Sequence, residues 1–168
     1  MRYKGKFVAA AAASLALTAG SAQASTACWS PVEQAAAKVR NLQTRLMVAT
    51  LRCQLVGADI TPAYNGFVQV NRPTLQGANK VLRTRLGESE YDRFVTFIAN
   101  VSAGADIDAA LCAAAGTVAG EGAGTQGDVQ KLVALEEKLG APLDLPGGAC
   151  PITFTLAVAD APASPASD

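Results

Sequence analysis

The sequence predicts an all-α protein: a single-domain bundle of about five or six helices braced by two disulfides, with a short extended C-terminal segment. Three observations carry that expectation. Apolar residues recur at spacings of three and four over most of 31–139, the period of a helix with one buried face. Aromatic residues make up only 5% of the chain and alanine is abundant, which suits closely packed helices better than a β-sandwich. Four cysteines stand in a chain without a single histidine, so two disulfides are a better reading of the sulfur than a zinc site, and no pair has C-x-x-C spacing.

The first 24 residues read as a cleavable export signal. Arg2, Lys4 and Lys6 form a basic start, an apolar run follows from Phe7 to about Ala19, and Ala22-Gln23-Ala24 is a small-x-small cleavage site before Ser25. The run is too short and too alanine-rich to span the roughly 30 Å of a bilayer core. The expected location is therefore periplasmic or extracellular, with no transmembrane segment in the mature chain. Cys28 does not fit lipidation, because Ser25 stands where an aliphatic residue is wanted and three other cysteines would be stranded. Residues 25–158 are expected to form the helical domain and 159–168, rich in Ala, Pro, Ser and Asp, a disordered tail.

Ser30-Pro31-Val32-Glu33 starts the first helix with serine as cap, proline in the first turn and glutamate closing a capping box. Val32, Ala35, Val39, Leu42, Leu46, Ala49, Cys53 and Val56 then form one unbroken stripe, so a single long helix is expected over about 31–55, ended by Gly57. Thr61-Pro62 starts a short second helix carrying Tyr64, Phe67 and Val68, which Pro73 is expected to interrupt. A third helix with Leu75, Ala78, Val81 and Leu82 runs to Leu86 before Gly87. The fourth, about 88–102, is acidic in its first turn and buries Tyr91, Phe94, Val95, Ile98 and Val101. Asp106 starts a fifth helix to about Val118, and 116–127 reads as a loose glycine-rich loop. Asp128 caps a sixth, with Val129, Leu132, Val133 and Leu139 inward and Gly140 at its end. Residues 152–158 alternate like a strand without an evident partner.

The long first helix restricts the disulfides. Cys28 and Cys53 bracket it and are more than about 30 Å apart, whereas a disulfide needs Cα atoms within about 7 Å. Two pairings survive: Cys53–Cys112 with Cys28–Cys150, or Cys28–Cys112 with Cys53–Cys150. Tracing the helices up and down the bundle favours the first.

Charge excludes some partners. The chain has 14 basic and 14 acidic residues, and removal of Arg2, Lys4 and Lys6 leaves 11 basic against 14 acidic, a net of −3. A mildly acidic domain is a poor nucleic-acid binder. Residues 25–100 hold nine basic and five acidic groups and 101–168 hold two and nine, so the halves are expected to complement one another within the fold.

No catalytic constellation is evident. Without histidine there is no Ser-His or Cys-His pair, no S-x-x-K occurs, and both disulfides together leave no spare thiol. No metal site and no cofactor are expected. Gly122-Ala123-Gly124-Thr125-Gln126-Gly127 matches G-x-G-x-x-G but follows an alanine-rich helical stretch instead of a strand, so it reads as chance. Glu88, Glu90 and Asp92, or Glu136 and Glu137, are close enough in sequence for a carboxylate pair, yet occupy positions that read as solvated. Asn100-Val101-Ser102 is a formal glycosylation sequon late in a helix, and is discounted.

Residues 91–104 are similar to a core helix of phage-type lysozymes in packing pattern only, with no catalytic acids upstream. A broader likeness covers most of the mature chain. Ala27-Cys28-Trp29-Ser30-Pro31, Leu51-Arg52-Cys53, Pro62-Ala63-Tyr64-Asn65-Gly66-Phe67, Tyr91-Asp92-Arg93-Phe94 and Gly147-Gly148-Ala149-Cys150 resemble a group of small exported helical proteins of alphaproteobacteria with a four-cysteine framework. That resemblance implies export and the cysteine framework and carries no active residues across.

The expected function is that of a non-enzymatic binding or structural module of the cell envelope, engaging an envelope component or protein. Arg40, Arg45, Arg52, Lys80, Arg83 and Arg85 are the candidate contact residues. Two alternatives remain: a glycan hydrolase using a carboxylate pair, or a carrier of a small apolar ligand, with a cavity among Leu42, Leu46, Tyr64, Phe94 and Ile98.

Overall fold

The computed structural model describes residues 28–140 and 143–151. The expected leader, the strand-like stretch 152–158 and the tail 159–168 lie outside the described residues. Within them the chain is an all-α bundle of five helices without a strand. Helix α1 spans Pro31–Cys53, α2 Thr61–Leu86, α3 Glu88–Gly104, α4 Ala109–Ala123 and α5 Val129–Lys138.

The start of α1 is the capping box read from the sequence. Glu33 N donates to Ser30 Oγ at 3.4 Å, while Ser30 N donates to Glu33 Oε2 at 2.8 Å. The helix tightens into a 3₁₀ turn at Gln54–Val56 and stops at Gly57, whose φ of +76° suits a residue without a Cβ. Every other helix packs on α1. It therefore buries more than one stripe: Ala36, Ala37, Val39, Leu42, Leu46 and Cys53, and also the polar Asn41, Thr44 and Thr50. The expected stripe was too narrow for this central position and too long at its ends, where Val32 and Val56 are 66% and 48% exposed.

Two boundaries differ from expectation. Pro73 does not interrupt anything: the second and third expected helices are one, α2. Proline removes one N–H and frees the carbonyl four residues earlier. Both Pro73 and Gln69 are exposed, so water can satisfy that carbonyl. The opposite face (Phe67, Asn71, Leu75, Ala78, Leu82) is buried without a break across the proline, and that packing holds the helix together. The glycine-rich stretch is likewise no loose loop up to Ala123, because α4 runs through Gly116, Gly120 and Gly122. Its cap is Asp108, whose Oδ1 accepts from Leu111 N at 2.7 Å, two residues beyond the expected start. The glycines let α4 press against α2. A Cβ on Gly122 would lie 2.6 Å from Phe67 Cδ2, and one on Gly116 3.2 Å from Ile60 Cγ2.

Asn71 locks the same seam. Fully buried, it donates to the carbonyls of Phe67 (2.9 Å) and Gly122 (2.8 Å) and accepts from Thr125 Oγ1 (2.8 Å) and Gly127 N (2.9 Å). All four of its side-chain hydrogen-bonding positions that matter here are satisfied, as a buried amide requires. The G-x-G-x-x-G match is absorbed into this network, with the Gly127 amide spent on Asn71.

The pairings fix helix directions. Arg85 meets Glu33 at the start of α1, so α2 runs antiparallel to it. Trp29 meets Phe94, and Arg52 reaches Ser102 and Ala105, so α3 runs parallel to α1. The Cys53–Cys112 disulfide and the Phe67–Gly122 contact make α4 antiparallel to α1 and parallel to α2. Helix α5 is parallel to α1, its end held at Asn41 and Arg45.

The disulfides are Cys28–Cys150 and Cys53–Cys112, the favoured pairing. By loop entropy the inner bridge, 59 residues apart, contributes roughly 4 kcal/mol, and the outer one a similar amount once the inner has shortened its 122-residue loop. Beside the outer bridge, Trp29 N donates to Gly148 O (2.8 Å), Cys150 N to Trp29 O (2.9 Å) and Trp29 Nε1 to Pro146 O (2.9 Å). The start and the end of the described chain are thus pinned together at the foot of α1.

Candidate functional site

Three surfaces of the bundle hold the residues singled out in the sequence. At the foot of α1, the Arg85 guanidinium lies 4.2 Å over the Trp29 ring and pairs with Glu33 at 3.1 Å. The Glu33 carboxyl is held below its ordinary range chiefly by the hydrogen bond from the Ser30 amide; burial opposes this, and the Ser30 hydroxyl and Arg85 add smaller lowering effects. On the flank of α2, Lys80 and Arg83 border a shallow depression with Glu88. Arg83 is paired with Glu88 and stacks 4.1 Å over Tyr91. On α1, Arg40 donates to Gln43 Oε1 at 2.7 Å, and Arg45 and Arg52 face a pocket. The six basic residues are therefore divided among separate environments and do not share one face.

The halves of unequal charge are joined by one ion pair among those described, Lys38–Glu137 at 2.6 Å. The other pairs are local to each half, as in Glu90–Arg93 and Glu121–Lys138.

The carboxylates divide in a way the sequence did not indicate. Glu88, Glu90, Asp92 and Glu137 are exposed, as expected. Glu136 is not on a solvated face: it is 1% exposed at the seam of α5 and α1, where Asn41 Nδ2 donates to its Oε1 at 2.5 Å. Burial pushes its pKa up, against the lowering effects of the Asn41 hydrogen bond, Lys38 and Arg45. It borders none of the three pockets described. A raised acid that borders none of these pockets reads as a packing feature, and among the described residues no second carboxylate is hydrogen-bonded to it.

An apolar cavity of about 290 Å³ lies between α1, α3, α4 and the segment after α5. Buried Leu46, Ile98 and Ala115 form its floor. Phe97, Val101, Leu111 and Leu143 wall it. Phe97 and Val101 are 57% and 59% exposed, large apolar side chains one helical turn apart at the rim. Of the residues named for an apolar cavity, Leu46 and Ile98 border this one, while Leu42, Tyr64 and Phe94 do not. Val101 was expected in the core and instead faces outward at this rim.

The polar part of the pocket is small. Arg45 Nη2 donates to the carbonyl of Leu139, at the C-terminal end of α5. Burial lowers the Arg45 pKa, and the nearby Glu136 charge partly offsets this. Arg45 Nη1 is enclosed and has no hydrogen-bond partner. Arg52 Nη1 donates to the carbonyls of Ala105 (2.6 Å) and Ser102 (3.4 Å), at the C-terminal end of α3. Asp144 lines the same pocket and is exposed.

Among the described residues no group of three or more His, Cys, Asp or Glu side chains is placed to hold a metal ion, and no helix is long and apolar enough to cross a membrane. Neither family models, nor curated proteins, nor solved structures yield a match to this chain.

Proposed function

We propose that this protein is an exported, non-enzymatic binding module of the cell envelope that takes up a small, largely apolar ligand in the pocket between α1, α3 and α4. The observation that carries the reading is the pocket itself: about 290 Å³, walled by Phe97, Val101, Leu111 and Leu143. Small-molecule sites are concave, mainly apolar and furnished with a few polar groups, typically at roughly 300 Å³ and above, so this one sits at the small end of the range. Export is supported by the leader-like residues 1–24, by two disulfides of the kind that persist in oxidising compartments, and by the likeness to small exported four-cysteine proteins. Binding is favoured over glycan hydrolysis because, among the described residues, Asp144 is the one acid that lines the pocket, whereas glycoside cleavage needs a facing pair.

The test is fluorescence titration of the oxidised protein with N-phenyl-1-naphthylamine, a neutral apolar probe. Saturable one-site binding is expected, reduced at least tenfold in Ala49→Phe, which fills the pocket from α1. Absence of saturable binding to the wild-type protein refutes the reading. So does undiminished binding to an Ala49→Phe protein with an unchanged circular dichroism spectrum.

A further inference from the structure

Two arginines beside an apolar pocket need an explanation. Most cations of this fold have a carboxylate: Lys38, Arg83, Arg85, Arg93, Lys131 and Lys138 all stand in ion pairs. Arg45 and Arg52 make only carbonyl hydrogen bonds, and among the described residues neither has a carboxylate within ion-pair distance. Asp144 borders the same pocket but pairs with neither. The two arginines are seven residues apart on α1, so they fall on one side of the helix roughly 10 Å from each other. One guanidinium nitrogen of Arg45 is enclosed and has no hydrogen-bond partner among the described residues. Arg45 has only the nearby charge of Glu136 beside it, and Arg52 has no carboxylate within ion-pair distance among the described residues. Such weakly compensated cations are costly to enclose unless something anionic reaches them.

Building on the binding reading above, we infer that the pocket takes an anionic single-chain amphiphile, a fatty-acid-like carboxylate, with its chain on Leu46, Ile98 and Ala115 and its head group on the Arg52 and Arg45 guanidiniums. The volume limits the chain. A cavity of about 290 Å³ holds roughly ten methylene-sized units if each takes the roughly 30 Å³ of a water molecule. A carboxylate matches the planar fork of a guanidinium, which donates two parallel hydrogen bonds to it. Arg52 is the readier partner, since among the described residues a single one of its nitrogens is engaged, both acceptors are neutral, and the residue is partly exposed. The rim residues Phe97 and Val101 lie on the helix whose end Arg52 holds, so the same α1–α3 junction presents both the apolar wall and the charge.

The experiment displaces N-phenyl-1-naphthylamine from the oxidised full-length protein with a ten-carbon series: decanoate, decan-1-ol, decyl phosphate and decyltrimethylammonium. Decanoate is expected to bind at least tenfold more tightly than decan-1-ol, with the trimethylammonium compound weakest. In Arg52→Gln the decanoate preference is expected to fall to threefold or less while decan-1-ol affinity stays within twofold of wild type. Equal affinity for decanoate and decan-1-ol overturns the anionic head group but leaves the apolar site standing. A clear preference for decyl phosphate over decanoate overturns the carboxylate assignment. Failure of the probe itself to bind overturns the underlying binding reading. The ligand series on the unmodified protein decides the matter even where Arg52→Gln does not fold.

Discussion

Replacing Gly122 with alanine adds one methyl group at the tightest point of the α2–α4 seam. The new Cβ would lie 2.6 Å from Phe67 Cδ2 and 3.2 Å from Cε2. Carbon atoms in good contact are about 3.5–4.0 Å apart, so one partner must retreat. Phe67 has no exposed surface, so its ring cannot swing out into solvent. If α4 moves instead, the bonds from Asn71 Nδ2 and Thr125 Oγ1 to the Gly122 carbonyl lengthen from 2.8 Å. Overpacking of this kind costs about 1–3 kcal/mol, and strained hydrogen bonds add to it. Alanine returns about 1 kcal/mol through its better helix propensity. The net expectation is a loss of about 2 kcal/mol. Gly120 lies on the same helix, is exposed, and would put no atom within 4 Å of a new Cβ. There the propensity gain stands alone, a stabilisation of up to about 1 kcal/mol. The same chemical change two residues apart should therefore have opposite signs. Thermal unfolding of the oxidised protein, followed by far-ultraviolet circular dichroism, resolves this: at about 4 °C per kcal/mol the two variants should melt about 12 °C apart. Gly122→Ala melting at or above wild type would refute the close helix contact on which the reading of α4 rests.

Asn71→Ala removes a buried amide that makes four hydrogen bonds and leaves the Gly127 amide without its acceptor, while the Thr125 hydroxyl keeps the Gly122 carbonyl. A loss of about 3–4 kcal/mol in urea unfolding is expected, and a loss under about 1 kcal/mol would show that the network does not hold the seam. Glu136 makes stability depend on pH. Its folded pKa is raised above the ordinary 4.5, so the folded state holds the proton more tightly than the unfolded chain. Its contribution is then most favourable below that unfolded value and is lost as pH rises through the raised folded one. Glu33, with a lowered pKa, has the opposite sign and loses its contribution only as pH falls below 4.5. On acidification towards pH 4.5 the wild-type protein should therefore gain stability relative to Glu136→Gln, and parallel profiles in urea unfolding would disprove the buried carboxyl.

What was legible in the sequence is what short-range chemistry decides. Ser30, Asp128, Gly57 and Gly87 mark helix ends through bonds or backbone angles that involve only their neighbours, and the structure has all four in those roles. The disulfide pairing was narrowed by rod length alone. Pro73 and the glycines of α4 misled because their local preference was outvoted by burial on the far side of each helix. Glu136 misled for a related reason: beside Glu137 it reads as solvent-facing, and only the presence of Asn41 on α1 makes its burial possible. For the site, Arg45 and Arg52 were named, but the walls were not. Phe97 and Val101 form a second apolar strip on α3, off its core-facing stripe, and that strip was the available signal.

The central place of α1 explains why its arginines ended beside a pocket and not on an open basic face. A helix contacted by all four others has little polar side to offer, so each cation must find an acceptor among its neighbours. Arg45 finds the end of α5 and Arg52 the end of α3. Helix C-termini carry unsatisfied carbonyls and roughly half a negative charge, so each arginine is partly compensated there. A partial positive charge remains, smaller at Arg45 where Glu136 lies nearby, and it faces the pocket that both arginines line. Asp144 is exposed, where water screens its charge, and it cannot cancel that field inside the pocket. A neutral apolar guest would leave the two guanidiniums as they are and strip water from around them. A guest with one anionic end completes the compensation that the helix ends begin, and for that reason the pocket should discriminate by head group before it discriminates by chain.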